Sequence, residues 1–149
     1  MRRATLSLLL LASCTEEKPA PKLETLTTPE GHPRSKLVST RQSFVPADFL
    51  VPGYVTVLKF TAAEDPWNAQ VSPLVDQLIA RQIRAVLRTV DLGDGKSAAA
   101  YQVAMEHRMK EIPLPFFCIY DKNGTLVGKV AGPDLGALDW GIRKALGSN

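Results

Sequence analysis

Hydrophobic and polar positions fall into short blocks along this chain, and the period of the blocks changes. From Tyr54 to Phe60, YVTVLKF alternates around Val55, Val57 and Phe60, which predicts a buried strand. From Pro66 to Arg81 the period lengthens. Val71, Leu74, Val75, Leu78 and Ile79 recur at helical spacing, with Pro73 placed to interrupt or kink the helix. AVLRTVDL, residues 85–92, predicts a second strand, and Ala100, Val103, Ala104 and Met105 predict a helix over residues 97–108. Phe116 to Tyr120 and Leu126 to Val130 read as two strands joined around Asn123-Gly124, a hairpin turn signal. A last helix over residues 134–146 would bury Leu138, Ile142 and Leu146. KLVSTRQSF, residues 36–44, is a candidate edge strand.

The order is strand, helix, strand, helix, hairpin, helix. Strands joined through a helical crossover run parallel, whereas a tight hairpin is antiparallel. The pattern therefore predicts an α/β fold in three layers, a mixed parallel/antiparallel central sheet with helices on both faces.

The N-terminus has a different layout. MRRATLSLLLLASC places two arginines before a short apolar run and then small residues, as a secretory signal does. The run is far short of the roughly 20 residues that span a bilayer. Leu11-Ala12-Ser13-Cys14 resembles the lipobox of bacterial lipoproteins, in which cleavage precedes a cysteine that carries a diacylglycerol. A plain signal peptide containing a cysteine is the alternative. The resemblance implies a signal at 1–13, lipidation of Cys14, and a membrane-attached protein of the bacterial cell envelope. Thr15 after the cysteine implies the outer membrane where two membranes exist. Residues 14–35, with Pro19, Pro21, Pro29 and Pro33 and few large apolar residues, are expected to form a flexible tether, leaving 36–149 as one domain.

Charge and cysteine usage narrow the chemistry. The 18 Lys+Arg residues include Arg2 and Arg3 of the signal, so the rest of the chain sets 16 against 15 Asp+Glu, without the clustered basic face of a nucleic-acid binder. Cys14 and Cys118 are the two cysteines; a lipidated Cys14 leaves one thiol and no internal disulfide. Cys118 lies inside FFCIY, where a cysteine reads as a small buried hydrophobe. His32 and His107 sit in unrelated segments with no metal-ligand spacing, so neither metal nor cofactor is expected. His107 reads as a solvated residue near a helix end, complementing its dipole. LGDGKS, residues 92–97, has a lysine and serine placed as in a phosphate loop. Val90 stands where that loop needs its first glycine, which favours an ordinary loop with Ser97 capping a helix.

From about Val51 onward the sequence resembles the thioredoxin-like family. Phe60 and Ala62 match its strand end, and Pro73 its helix kink, eight residues after Asp65. Gly124 matches the hairpin glycine and Gly132 the glycine before the last helix. The family also carries a cis proline facing its redox site; Pro113 and Pro115 both compete for that role, and the spacing to Gly124 favours Pro115, preceded by Leu114. The departures are chemical. Asp65-Pro66-Trp67-Asn68 occupies the redox loop, with Asp65 and Asn68 in place of the two cysteines, and Lys59 replaces the buried proton-relay carboxylate. Asp65 and Pro66 suit a helix N-cap and first helical position. Trp67 reads either as loop packing or as an exposed aromatic that grips a partner.

The resemblance implies a redox-inactive, lipid-anchored binding module for an envelope protein or peptide. Its alternative is a thiol–disulfide enzyme acting through Cys118 with an external thiol.

Overall fold

The computed structural model describes residues 21–38, 49–63, 65–92 and 114–147. Cys14 and the signal, the helix expected over 97–108, the Gly95-Lys96-Ser97 loop, His107 and Pro113 lie outside the described residues. The elements are β1 (Ser35–Val38), β2 (Val55–Thr61), α1 (Asn68–Ala80), β3 (Ala85–Asp91), β4 (Phe116–Tyr120), β5 (Leu126–Ala131) and α2 (Leu135–Gly147). They build a five-stranded sheet in the order β1-β3-β2-β4-β5. β3 pairs parallel with both β1 and β2, and β4 pairs antiparallel with β2 and β5. This is the mixed α/β sheet that the order of elements predicts. No helix among the described residues is long and apolar enough to cross a membrane.

β2 is buried along its whole length because it is the central strand. Its odd-numbered side chains face α1 and α2. There Val55 and Val57 pack with Val71, Val75 and Ile79 of α1 and with Leu138, Ile142 and Ala145 of α2. Its even-numbered side chains join the opposite cluster of Leu58, Phe60, Val90, Phe116, Cys118 and Tyr120, closed in part by Phe49.

Several elements differ in detail from the sequence pattern. α1 runs through Pro73 as one helix. Its buried stripe is narrow: Leu74 stands 46% exposed on the flank of the Val71-Val75-Ile79 row. In α2, Ala145 takes the fully buried position expected of Leu146, which packs at the edge of the core. The hairpin uses a loop over residues 121–125. Asp121 Oδ1 accepts from the backbone N–H of Asn123 and of Thr125, each at 2.9 Å, while Gly124 supplies the left-handed φ of 80°.

The expected tether boundary needs correction. Residues 22–35 are held to the domain at three buried side chains, Leu23, Thr28 and Arg34, while most of the residues between them are exposed. Leu23, in a 3-10 turn over Leu23–Thr25, is 2% exposed and joins the core beside α1. Arg34 is the anchor. Its guanidinium donates to the carbonyls of Ile79 at 2.7 Å, Gln82 at 2.5 Å and Ala85 at 3.1 Å. The Ile79 and Gln82 carbonyls also accept from the backbone N–H of Gln82 and Ala85, so the guanidinium adds a second, charged donor at the C-terminal end of α1, which has no basic residue in its own last turn. Proline content hides this packing, since one leucine and one arginine carry it. His32, expected to be solvated, is exposed.

Candidate functional site

The turn between β2 and α1 is built by Asp65. Its Oδ1 accepts from the backbone N–H of Trp67 at 2.9 Å, and Thr61 Oγ1 donates to its Oδ2 at 3.3 Å. The carboxylate thus closes a side-chain turn two residues long. α1 then begins at Asn68, with Trp67 as its N-cap residue. This corrects the expected start at Pro66: Asp65 holds the turn before the helix and does not cap the helix itself. Trp67 is 45% exposed.

Lys59 lies one strand turn earlier, on the α1 face of β2, and is 3% exposed. Its Nζ donates to Asn68 Oδ1 at 2.8 Å and to Ser72 Oγ at 2.5 Å, while Ser72 Oγ donates to Asn68 Oδ1 at 2.8 Å. Burial pushes the Lys59 ammonium below the ordinary lysine range, with Asp76 and Asp65 pulling it part of the way back. Asp76 is pushed the other way, above the ordinary aspartate range, by burial, and Lys59 opposes that shift. Asn68, Ser72 and Asp76 follow each other at four-residue spacing, so they form one polar stripe along α1. With Lys59, Thr61, Thr89 and residues 35–37 of β1 the stripe lines a cleft of about 430 Å³. Sequence reasoning singled out Lys59 and Asn68 but not Ser72, Asp76 or Thr89. The signal was the four-residue polar repeat running beside the apolar one.

The Leu114–Pro115 peptide bond is cis. Pro115 immediately precedes Phe116, which pairs with Phe60, so it lies at the end of the sheet from which the Asp65–Asn68 turn leaves. Its carbonyl accepts from Gly132 N at 2.8 Å, tying this end of β4 to the approach to α2. Neither Trp67 nor Pro115 lines the Lys59 cleft. Lys59, Asn68, Ser72 and Asp76 thus share one cleft, and Trp67, Leu114 and Pro115 lie outside it.

Cys118 is placed apart from both. It is 0% exposed, pairs with Leu58, and sits in the apolar cluster on the face of the sheet opposite α1. Burial pushes its thiol up to about 12. At neutral pH it is a protonated core side chain, with no thiolate to attack a disulfide.

No family model matches the chain, and no curated protein matches it by sequence. The structure does have solved relatives in shape. The short form of thioredoxin f from spinach chloroplast superposes with a TM-score of 0.59 at 18% identity, over 74% of this chain and 92% of that one. Thioredoxin f2 of Chlamydomonas reinhardtii gives 0.58 at 17% identity, over 76% and 97%. Fasciola hepatica thioredoxin gives 0.52 at 20% identity, over 63% and 83%. At these identities the likeness establishes a thioredoxin-like fold.

Proposed function

We propose that this chain is a lipid-anchored, redox-inactive thioredoxin-like domain that binds a protein or peptide at the bacterial cell envelope. The observation that carries the reading is the Asp65–Asn68 turn. It keeps its place at the sheet end shared with Leu114–Pro115, offers a half-exposed Trp67, and holds no thiol. A mixed disulfide needs a thiolate, and Asp65 and Asn68 supply none. An exposed indole beside a rigid turn supplies apolar contact area with one polar handle, the combination favoured at binding hot spots. Membrane attachment rests on Leu11-Ala12-Ser13-Cys14 and on more than one acyl chain for a stable anchor. The burial of Cys118 weighs against the alternative of an enzyme using that thiol.

The test is site-specific photocrosslinking in native membranes. A photoreactive residue replacing Trp67 should yield a discrete protein adduct, and the same residue replacing Trp140, which is more exposed at 63%, should not. Identical adducts from both positions would discard the binding surface. Insulin reduction by the purified chain above the dithiothreitol control would discard redox inactivity, and a Cys14→Ser chain that stays membrane-bound would discard the anchor.

A further inference from the structure

Three polar side chains in the cleft beside α1 stand in the order that an activated serine requires. Lys59 Nζ lies 2.5 Å from Ser72 Oγ, and Asn68 Oδ1 holds the same nitrogen at 2.8 Å. A nucleophile within hydrogen-bond reach of a base, with the base oriented by a third group, is the shared geometry of serine acyl transfer. Lysine is the base in one variant of that arrangement. The fold brings Lys59 from β2, and Asn68 and Ser72 from successive turns of α1. All three line a cleft of about 430 Å³, within the size of small-molecule sites. Lys59 is 3% exposed, whereas Asn68 and Ser72 are half-buried, so the base is shielded and the hydroxyl can be reached.

Lysine acts as a base only as the free amine. Burial pushes Lys59 below the ordinary lysine range, and Asp76 on α1 and Asp65 in the turn pull it part of the way back. Glu24 and Lys36, one of each sign, also line the cleft. Once Nζ has lost its proton, the contact reverses, and Ser72 donates its hydroxyl proton to the nitrogen. Asn68 has a second use. Its Oδ1 receives Lys59, so its NH2 points elsewhere, and no described residue accepts from it. A free amide donor beside the nucleophile suits the oxygen that gains charge in acyl transfer.

We propose that Ser72 and Lys59 are a catalytic pair that hydrolyses small carboxylic esters, a function beyond the proposed protein binding. Ser72 Oγ bonds to the carbonyl carbon as its proton passes to Lys59, and Asn68 donates to the oxyanion. The ester C–O bond then breaks, and the leaving alcohol takes the proton from Lys59. Water repeats the two steps on acyl-Ser72, releasing the acid and restoring the hydroxyl.

The experiment treats the full chain with a small alkyl fluorophosphonate and with p-nitrophenyl acetate over a range of pH, and locates adducts by peptide mass. The fluorophosphonate should label Ser72 at a rate that rises as Lys59 loses its proton and levels off below the ordinary lysine range. Turnover of p-nitrophenyl acetate should follow the same profile. Lys59→Met should lower both rates at least about a hundredfold and remove the inflection. Ser72→Ala should remove the adduct and the turnover together. Asn68→Asp keeps an oxygen for Lys59 but adds a charge that holds its proton, so the profile should move to higher pH. An asparagine that only supports the fold would leave the profile in place. Absence of an adduct on Ser72, acetylation of Lys59 itself without turnover, or Lys59→Met rates equal to those of the wild type overturns the catalytic pair. A profile unmoved in Asn68→Asp overturns the part given to Asn68. Trp67 lies outside the cleft, so its crosslinking stands or falls separately.

Discussion

Lys59 Nζ donates to Asn68 Oδ1 across 2.8 Å, tying β2 to the first residue of α1. With Ser72, which accepts from Lys59 and donates to the same Asn68 oxygen, the two form one polar unit under the start of the helix. This predicts an asymmetry in stability. Asn68→Ala leaves a buried cation short of an acceptor and should cost about 1–3 kcal/mol. Lys59→Met removes the cation, lets Ser72 keep its bond to Asn68, and should cost less or nothing, as replacing buried charge by an apolar side chain often does. Urea unfolding of the two variants decides it, and a larger loss in Lys59→Met would show that the ammonium is a net source of stability.

The depressed Lys59 ammonium gives a pH dependence of defined sign. Its folded value lies below the ordinary 10.5, so on raising the pH the folded state releases this proton before the unfolded state does. Between the two values the unfolded state holds more protons, and stability rises with pH in that window. Below the folded value the full burial penalty applies. Other lysines and tyrosines titrate nearby, so the readout is the difference between wild type and Lys59→Met. That difference should move in favour of the wild type as pH climbs toward 10.5 and level off beyond it. A flat difference would mean that burial does not perturb Lys59.

Arg34 closes the C-terminal end of α1 from 45 residues away in sequence. Arg34→Ala should remove the charged donor from the Ile79, Gln82 and Ala85 carbonyls, of which Ile79 and Gln82 keep a backbone N–H, and cost about 1.5–3 kcal/mol. Arg34→Lys should recover only part, because an ammonium lacks the planar fork that reaches several carbonyls at once. Limited proteolysis should show the stretch around Leu23 to His32 cut early in Arg34→Ala while β2 and β4 stay protected. Unchanged cleavage would return this stretch to the tether expected from its prolines.

What the sequence revealed and what it hid have physical reasons. β4 was legible to the residue, because FFCIY is a short apolar run between a proline and a turn, and such a run has few other folds. The α1 core was legible because Val71, Val75 and Ile79 repeat at one helical spacing. The polar stripe Asn68-Ser72-Asp76 has the same spacing, yet polar residues on a helix ordinarily face water, so the repeat carries no weight until Lys59 is seen beneath it. The packing of Leu23 and Arg34 was hidden because it depends on contacts more than 40 residues away, which no local pattern records. Asp65 read as a helix cap because a side-chain turn and an N-cap use the same residue type and differ by two positions in where the helix starts.

Cys118 should behave as a core residue. At 0% exposure and with its thiol pushed up to about 12, it should resist alkylation at neutral pH in the folded chain and react at once in denaturant. Rapid labelling of the folded protein would reopen the thiol-enzyme reading, most directly if Cys118→Ala then abolished a measurable reductase activity.

The register of the Asp65–Asn68 turn can be tested by restoring thiols to it. Asn68 N donates to Asp65 O at 3.3 Å, the i to i+3 bond of a tight turn, which keeps the two Cα atoms within about 7 Å. A disulfide tolerates roughly 4.4–6.8 Å, so a chain carrying Asp65→Cys and Asn68→Cys should oxidise to an internal bond without refolding. Losing Asp65 removes its bonds to Trp67 N and Thr61 Oγ1, at about 1 kcal/mol each. In Asn68→Cys alone, the new thiol would stand where Lys59 now donates. An adjacent ammonium favours the thiolate, so its titration should fall below the ordinary value of about 8.5. Adding Lys59→Met should return it toward that value. Iodoacetamide rates against pH give the titrations, and thiol counting after mild oxidation gives the bond. A folded double variant that keeps both thiols under oxidant would separate Asp65 and Asn68 from the redox positions, and an Asn68→Cys thiol indifferent to Lys59→Met would separate Lys59 from the turn.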